Sequence, residues 1–575
     1  MPGKKSSLKK IEGKERDINK LVLKHVLLNA VQHNGKADEK VVIGKVVSGN
    51  PELKDKISQV IKSIKTNVET VNLWPSEKQK IELEKMKIKI ERKVEKEKKL
   101  ELPPLPNAKK GKVVMRLAPY PSGPLHIGNA RMVMLNDEYA RRYDGKLFLV
   151  YDDTIGSEEK RLIPEGYKLV KEGLDWLGVK VHKIFYKSDR LPIFYKYAEE
   201  MLRKGLAYVC LCTAEELRAN RKAGFECVHR KQTPEENLEL WMSMLDGTYK
   251  EGGATVRLKT DMEHPNPAFR DRVLLRVSNR KHPRVGNKYH VWPLLEFSWA
   301  IDDHELGVTH ILRGKDLVIE DLMEIFIWEK FGWKKSEFLH YGMLKMEEAK
   351  LSKSKSRAAI ESGTLTGWDD PRTWSLQSLA RRGIKPEAVR RFILRMGMSL
   401  ADVTVPAEIL YSENRKIVDA KAKRYFAVFE PMKISIGSVP KILKNNVVTA
   451  PVHPDFPAQG KRTIPFDPNS VYIEKQDYEK YNGEKLGLMN LFSVVLGKNT
   501  KFSSEKIEMN SQKIHWVSEP NAKIKIVMPN GEVKTAIAEP DIRKAGVGDI
   551  VQLVRNGFCR VDKRGNDIVL YFAHK

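Results

Sequence analysis

Along the middle of the chain, short continuous apolar runs typical of buried strands alternate with segments whose apolar residues have helical spacing. The segment 112–118 (KVVMRLA) is an almost unbroken apolar run, as expected of a buried strand, and a Pro/Gly turn leads into a helix through about Tyr143. The same pattern predicts a strand over Leu147–Tyr151, a helix over Pro164–Leu177, a strand over Lys183–Tyr186 and a helix over Leu191–Lys204. This alternation predicts an α/β fold with a doubly wound parallel sheet, whose ligands bind beyond the carboxyl ends of the strands.

The residues before this region have a helical pattern. One apolar stripe is formed by Leu21, Val22, His25, Val26 and Leu28. From Ser76 to Glu101, alternating Lys and Glu with spaced apolar residues predict a solvated amphipathic helix, with a dedicated RNA-binding arm as the alternative. The prolines of 102–106 (LPPLP) end that helix, because proline lacks the backbone donor and restricts its predecessor. Residues 1–105 are therefore predicted to form an N-terminal helical extension.

Beyond about Pro406 the helical pattern ends and short β-rich runs follow. Turn pairs punctuate these runs at Asn482-Gly483, Asn530-Gly531, Asn556-Gly557 and Arg564-Gly565-Asn566. Such turns between strands are typical of antiparallel hairpins, and they predict β-barrels over residues 401–575.

Charge and cysteine content narrow the class of protein. Lys and Arg number 103 against 75 Asp and Glu, a formal net charge of +28, which favours a polyanionic partner such as nucleic acid. Four cysteines in 575 residues are too few for a disulfide framework. No run of eighteen apolar residues occurs, and the basic start lacks the apolar segment of a signal peptide. These features predict a cytoplasmic protein without a membrane anchor.

Two motifs suggest nucleotide chemistry. The first strand leads into 119–129 (PYPSGPLHIGN), where Gly128 allows close approach of a nucleotide, the helix N-terminus offers N–H groups to phosphate, and His126 can donate to phosphate oxygens. The second motif, 350–354 (KLSKS), begins 224 residues after His126. As a pair they resemble the HIGH and KMSKS signatures of class I aminoacyl-tRNA synthetases. Lys353, assisted by Lys350, would stabilise the charge that develops on departing pyrophosphate.

This resemblance implies a set of ATP contacts, and Mg²⁺ is expected with the ATP. The expected ATP-binding residues are Pro119, Pro121, Gly123, His126, Gly128, Lys350, Ser352 and Lys353. The expected catalytic residues are His126, Gly128, Asn129, Lys350 and Lys353. Asn129 stands where the signature ends in histidine; an amide keeps a donor there.

Three further places resemble the glutamyl and glutaminyl branch of the class, from about Lys112 to the C-terminus. The branch implies that Arg116 binds a substrate carboxylate and that Asp152 holds the α-ammonium. Arg313 favours glutamate, because glutaminyl relatives carry an uncharged residue there and a guanidinium pairs strongly with a carboxylate. The resemblance also implies that Leu295 lines this pocket, at a position where close relatives have a tyrosine. Leucine lacks the hydroxyl, so one substrate hydrogen bond is lost unless Tyr120 or Trp299 compensates.

A cysteine cluster follows the apolar run at 206–209. Cys210, Cys212, Cys227 and His229 provide three thiolates and one imidazole, which satisfy a tetrahedral structural zinc site; unbound core thiols are the alternative. Because side chains alternate along a strand, the chain must bend between Cys210 and Cys212. A similar zinc site occurs in some members of the family, in an insertion near the tRNA acceptor end, expected here at about 206–285.

Basic residues after 367–372 (GWDDPR) resemble a helical connector that touches the inside of the tRNA bend. They are Arg381, Arg382, Lys385, Arg390, Arg391 and Arg395. An ordinary solvated basic helix is the alternative interpretation.

The resemblance implies a monomer with a Rossmann-type catalytic domain over 109–400 and anticodon-binding barrels over 401–575. The barrels are similar to those of archaeal-type glutamyl enzymes. The implied reaction is activation of L-glutamate with ATP and transfer to the 3′-terminal adenosine of tRNA(Glu). Three questions stay open: whether tRNA(Gln) is also charged, whether the substrate is instead glutamine, and whether the chain is an inactive, synthetase-derived tRNA-binding protein.

Overall fold

The computed structural model describes residues 18–31, 35–50, 53, 56–86, 102–155, 161–349, 352–440, 447–508 and 511–575. Lys350, one of the expected ATP-binding residues, lies outside these ranges. The chain divides into two compact units, Met1–Lys99 and Leu100–Lys575. No helix among the described residues is long and apolar enough to cross a membrane.

The described residues of the first unit form helices joined by short connections. Its helices are α1 (18–31), α2 (Glu39–Gly49), α3 (Ile57–Asn72) and α4 (Ser76–Lys85). Of the predicted stripe on α1, Val22 and Val26 are fully buried, and they belong to one core with Ile64 and Val71 of α3. The predicted helix from Ser76 is described only as α4, and residues 87–101 lie outside the described ranges.

The second unit begins with alternating strands and helices. Its first elements are β1 (Val114–Leu117), α5 (Ile127–Arg142), β2 (Lys146–Tyr151), α6 (Pro164–Trp176), β3 (Lys183–Tyr186), α7 (Leu191–Arg203), β4 (Ala207–Cys210), α8 (Ala214–Ala223), α9 (Pro234–Leu245), β5 (Thr255–Leu258), β6 (Val273–Val277) and β7 (Val291–Pro293). The next are α10 (Leu295–Glu305), β8 (His310–Gly314), α11 (Val318–Phe331), β9 (Glu337–Tyr341), β10 (Leu344–Met346), α12 (Lys353–Glu361), α13 (Leu376–Arg382), α14 (Pro386–Met396), β11 (Val403–Val405) and α15 (Ala407–Val418).

Parallel strands form the core of this region. β1 pairs with β2 and β2 with β3, each in parallel, and β8 pairs in parallel with β9. The backbone N–H of Thr309 donates to the carbonyl of Val114 at 2.9 Å, which brings β8 beside β1. The carboxyl ends of β1, β2 and β8 therefore meet at one edge, where ligands bind in such sheets. The predicted α/β class is confirmed.

A separate antiparallel sheet runs in the order β4-β5-β6-β7; its first three strands lie within the expected insertion at about 206–285, and β7 follows it. β4 is buried along its whole length, and the two capping boxes at Thr213 and Thr233 start α8 and α9. Because β4 ends at Cys210, Cys212 lies beyond the strand and its side chain does not follow the strand alternation.

The C-terminal part is β-rich. Its elements are β12 (Lys423–Tyr425), β13 (Ala427–Phe429), β14 (Pro431–Ile434), β15 (Val447–Pro451), β16 (Lys461–Pro465), β17 (Val471–Glu474), α16 (Lys475–Lys480), β18 (Lys485–Leu488), β19 (Ser493–Val495), β20 (Lys501–Ser504), β21 (Lys513–Ile514), β22 (Val517–Ser518), β23 (Ala522–Val527), β24 (Val533–Ala538), β25 (Ile550–Leu553), β26 (Gly557–Lys563) and β27 (Ile568–His574). A seven-stranded sheet runs β12-β25-β26-β27-β23-β24-β13. Since β12 and β13 are separated only by Phe426 yet form opposite edges, the chain closes this sheet into a barrel-like surface.

Two expectations for this region need correction. A twelve-residue helix, α15, follows Pro406, where the helical pattern was expected to end; Ala407, Leu410 and Val418 are buried along one face of it. Of the four predicted turns, those at 530–531, 556–557 and 564–566 do join antiparallel strands, whereas Asn482-Gly483 lies between α16 and β18. Gly483 adopts the left-handed backbone conformation (φ 88°) that glycine favours. This conformation is compatible with a helix-to-strand turn as well as with a hairpin, so the Asn-Gly pair alone does not distinguish them.

Candidate active site

The first predicted motif lies between β1 and α5 and makes a capping box. Nδ1 of His126 accepts from the backbone N–H of Asn129 at 3.3 Å, and Oδ1 of Asn129 accepts from the backbone N–H of His126 at 3.2 Å. Nδ1 is therefore an acceptor and the imidazole carries its proton on Nε2. Burial, together with the nearby charge of Lys353, lowers the pKa of His126 to about 4, so the ring is neutral at physiological pH.

The predicted second motif reaches the same place. Ser352 caps α12, its Oγ accepting from the backbone N–H of Lys355 at 3.4 Å, and Lys353 is the first residue of the helix. Burial lowers the pKa of the Lys353 ammonium to about 8. A cavity of about 10 Å³ between the two motifs is lined by Pro124, His126, Ser352, Lys353, Ser356, Trp368, Thr373 and Ser375. Thus residues more than 220 positions apart meet around one small space.

The loop before α5 carries the remaining expected ATP contacts. The carbonyl of Pro119 accepts from the N–H of Asp152 at 3.1 Å, and the carbonyl of Pro121 accepts from that of Ile163 at 3.2 Å. Gly123 has φ 147°, and a Cβ atom there would come within 3.0 Å of the Trp368 ring, so only glycine fits. Gly128 lies half-buried in the first turn of α5.

Two of the expected amino-acid-binding residues, Arg116 and Arg313, converge on Trp299. The Trp299 ring centroid lies 5.1 Å from Cζ of Arg116 and 4.8 Å from Cζ of Arg313. A third cation, Nζ of Lys187, lies 5.2 Å from the same centroid and 3.1 Å from Oδ1 of Asp152. The side chains of these three cations are at most 5% exposed. Asp152, the third expected amino-acid-binding residue, is therefore linked to this cluster of cations by its ion pair with Lys187.

Buried acids already engage both guanidinium groups. Asp303 receives two bonds from Arg116, from Nε at 2.5 Å and from Nη2 at 2.7 Å. Arg313 donates from Nε to Oδ1 of Asp321 at 2.6 Å, and its Nη2 lies 2.8 Å from Oε1 of Glu324. Charge-assisted pairs of this kind fix the direction of both side chains.

Leu295, the fourth expected contact, begins α10 and is 36% exposed. It precedes Trp299 by four residues and so occupies the same helix face. Four residues of this site were not predicted from the sequence: Lys187, Asp303, Asp321 and Glu324. For Lys187, its position directly after β3 was a usable sign, because ligands gather at that edge of the sheet.

The four predicted metal ligands form one cluster. Their ligand atoms all lie within 4.8 Å of one another, with Sγ of Cys210 3.8 Å from Sγ of Cys227 and Sγ of Cys212 3.5 Å from Nδ1 of His229. A tetrahedral zinc site, with Zn–S about 2.3 Å and Zn–N about 2.1 Å, has edges of about 3.8 Å and 3.6 Å for these pairs. The donor set and its spacing therefore fit zinc.

The buried guanidinium of Arg257 borders this cluster. Its Nη1 lies 3.7 Å from both Sγ of Cys210 and Sγ of Cys227. A positive charge here offsets part of the negative charge that three thiolates bring to a divalent cation.

Several residues of the predicted basic connector are held by intramolecular partners. Arg381 pairs with Asp369 and Asp562, Arg390 with Asp137 and Glu138, and Arg395 with Glu413. Arg382 is fully buried and donates to the carbonyl of Ala573 at 2.9 Å and to Tyr411 Oη at 2.8 Å. The expectation that Arg382 belongs to an RNA-facing set is therefore wrong, because this side chain anchors α13 to the barrel.

Comparison with known families agrees with this architecture. Residues 112–419 match the model of the catalytic domain of class I tRNA synthetases (E and Q), and residues 422–515 and 513–562 match two anticodon-binding domain models of the same group. The chain belongs to the class I tRNA synthetases of the E and Q type. Enzymes of this class are ligases that use ATP with Mg²⁺.

Individual relatives resemble the chain along nearly its whole length. A protein from Pyrococcus furiosus named glutamate–tRNA ligase is 44% identical, with 97% of this chain and 100% of the relative covered. A glutamate–tRNA ligase from Thermococcus kodakarensis is 43% identical at the same coverage. A glutamate–tRNA ligase from Methanocaldococcus jannaschii is 43% identical, with 96% of this chain and 99% of the relative covered.

Proposed function

We propose that the protein is a glutamate–tRNA ligase, which activates L-glutamate with ATP and transfers it to the 3′-terminal adenosine of tRNA(Glu). The observation that carries this proposal is the convergence of two buried guanidinium groups, Arg116 and Arg313, at the carboxyl edge of the parallel sheet. Similarity along nearly the whole chain, at 43–44% identity, to relatives named glutamate–tRNA ligase supports the choice of amino acid.

ATP binds over Gly128 in this proposal, with its phosphates at the N-terminus of α5. The neutral His126 ring donates from Nε2 to a phosphate oxygen, and the capping box fixes the direction of that N–H. Lys353 stabilises negative charge on the leaving pyrophosphate, assisted by Lys350. Mg²⁺ bound with the ATP would supply further positive charge to the phosphates. Pro119, Pro121 and Gly123 shape the loop around the nucleotide, and Ser352 holds Lys353 at the start of α12.

The amino acid lies against Arg116, Asp152 and Arg313. Asp152 receives the α-ammonium and Arg313 faces the side-chain carboxylate, while Leu295 borders the entrance. Attack of the α-carboxylate oxygen on the α-phosphorus forms the P–O bond of glutamyl-adenylate and breaks the bond to pyrophosphate. The terminal ribose hydroxyl of the tRNA then attacks the activated carbonyl, loses its proton and expels AMP. Positioning and charge stabilisation account for both steps, without a covalent enzyme intermediate.

The tRNA contacts more than the active site. The acceptor end enters beside the insertion, where Cys210, Cys212, Cys227 and His229 would hold a structural zinc ion that would stabilise the local fold. The barrels bind the anticodon. The protein acts as a monomer in the cytoplasm. Light scattering with and without tRNA tests the monomeric state.

Glutamine activation is the second candidate, and the pairing of Arg313 supports it. Asp321 and Glu324 already contact this guanidinium, so a neutral amide would enter without adding a further negative charge. Charging assays with labelled glutamate and labelled glutamine on separate tRNA(Glu) and tRNA(Gln) transcripts distinguish the two substrates, and they also report whether tRNA(Gln) is accepted.

A further inference from the structure

Glu324 is a fully buried carboxyl group in the amino-acid site. It lies on α11 with no measurable exposure, and its Oε1 is 2.8 Å from Nη2 of Arg313. Both of its carboxylate oxygens are buried, and within the described ranges neither has a partner in hydrogen-bond geometry, so the contact with Arg313 is an ion pair only. Such an arrangement leaves an ionised Glu324 dependent on Arg313 for its compensation.

The positive and negative charges of the groups that face Glu324 already offset each other. Arg313 of β8 also binds Asp321, one turn earlier on α11, and Asp321 in turn contacts Nε2 of His340 on β9 at 2.5 Å. Arg116 of β1 is engaged by Asp303 of α10. Around Glu324 there are thus two guanidinium groups and two further carboxylates, before any substrate is present.

A substrate with a carboxylate side chain adds another negative charge to this cluster. Charges a few ångströms apart interact strongly in a buried site, and carboxylates that share one cation do not all stay ionised. Of the two acids on Arg313, Asp321 forms hydrogen bonds with Arg313 and His340, whereas neither oxygen of Glu324 forms one among the described residues. Glu324 is therefore the acid that becomes protonated when a substrate carboxylate binds.

We propose that Glu324 is a specificity-determining residue, whose ionised carboxylate competes with the side-chain carboxylate of the substrate for Arg313. Glutamate then binds to the form in which Glu324 is neutral, and where Glu324 is ionised in the empty site, binding takes up one proton from solvent. A substrate with a neutral side chain binds without this proton. The proposal rests on the proposed function, because it places the side chain of glutamate at Arg313.

The direction of the pH effect follows from burial. Burial, only partly offset by Arg313, raises the pKa of Glu324 to about 8. Below that pH the empty site already holds a neutral Glu324, so glutamate binds at full strength. Above it, Glu324 ionises and occupies Arg313, and the apparent affinity for glutamate falls by up to tenfold for each further pH unit.

Amino-acid-dependent ATP–pyrophosphate exchange in the presence of tRNA tests this competition. The KM for glutamate is measured from pH 7 to pH 9 for the wild-type protein and for Glu324→Gln. We expect the wild-type KM to rise by about tenfold over this range and the KM of the variant to stay nearly constant. The variant also controls for titration of the α-ammonium of glutamate, which affects both proteins equally. Parallel profiles would overturn the role of Glu324.

Calorimetry on the wild-type protein gives a second readout that does not require the variant to fold. Glutamate binding in two buffers of different ionisation enthalpy should take up more protons at pH 8.5 than at pH 7, because Glu324 is ionised in a larger fraction of empty sites at the higher pH. Equal uptake at both pH values would refute the proposal. An absence of glutamate-dependent exchange at every pH would instead count against the proposed function, which separates the two failures.

Discussion

Arg116 and Asp303 form a bidentate ion pair at the carboxyl end of the first strand, with both side chains at most 5% exposed. Asp303 lies on α10, 187 residues later in the chain. The pair directs the guanidinium toward the candidate amino-acid site. It also contributes to the stability of the fold, because a buried charge without its partner is destabilising.

Replacing one partner of this pair should destabilise the fold. We expect Asp303→Asn to lower the free energy of unfolding by about 3–5 kcal/mol, since it leaves the buried Arg116 charge without the carboxylate that pairs with it directly. Urea unfolding followed by tryptophan fluorescence measures this change. The matched control is Asp175→Asn, which removes one partner of the exposed Lys171–Asp175 pair and should cost less than about 1 kcal/mol. Equal losses in the two variants would contradict the buried pair's role.

Lys353 should contribute to the chemical step, whereas its neighbour Lys355 should not. Lys353 borders the small space next to His126, and Lys355 is exposed on the same helix. We expect Lys353→Ala to lower the rate of ATP–pyrophosphate exchange by about 100-fold or more, because it removes a charge that stabilises the leaving pyrophosphate. Lys355→Ala should retain most of the activity. Similar rates for the two variants would remove Lys353 from the mechanism.

Trp299 should act through the cations that surround it. Its ring is the common neighbour of Arg116, Arg313 and Lys187, so its removal loosens all three without touching the nucleotide site. We expect Trp299→Ala to raise the KM for the amino acid by about tenfold or more, and Trp299→Phe to restore much of it, since a ring face remains available to the cations. The KM for ATP serves as the internal control. A lower KM for glutamate in Trp299→Ala would show that the ring obstructs the site.

The cysteine cluster should retain one zinc ion per chain. Metal analysis of the purified protein should find zinc at a ratio near one, and Cys227→Ser should lose it together with part of the thermal stability. Cys559→Ser is the control, because Cys559 is a buried thiol in β26 and far from the cluster in sequence. Zinc that is absent from the wild-type protein, or retained in Cys227→Ser, would contradict the assignment.

The alternation of strands and helices could be predicted closely, because it depends on local patterns. The predicted bounds of β3 are those of the structure, and α6 and α7 differ from prediction by one residue each. The sequence pattern did not predict α15. Its buried residues lie between Pro406 and a region rich in strand and turn signals, and these signals obscure the helical spacing. Tertiary burial of Ala407 and Leu410 stabilises this helix.

The candidate site was predictable only where it depends on motifs. His126 and Lys353 meet as the resemblance to the two family signatures implied, and the four metal ligands gather as their residue types suggested. The partners of Arg313 were not predicted, since an acid three residues from another on α11 is common on solvated helices and its burial depends on the tertiary fold. The capping role of Asn129 was also missed, although it explains how an amide can replace the last histidine of the signature.

Aminoacylation tests the central claim most directly. Separate transcripts of tRNA(Glu) and tRNA(Gln) are incubated with ATP, Mg²⁺ and labelled glutamate, with labelled glutamine in parallel reactions and Lys353→Ala as the inactive control. We predict that tRNA(Glu) is charged with glutamate by the wild-type protein and that charging falls at least 100-fold in the variant. Charging with glutamine alone, or tRNA binding without any charging, would contradict the account.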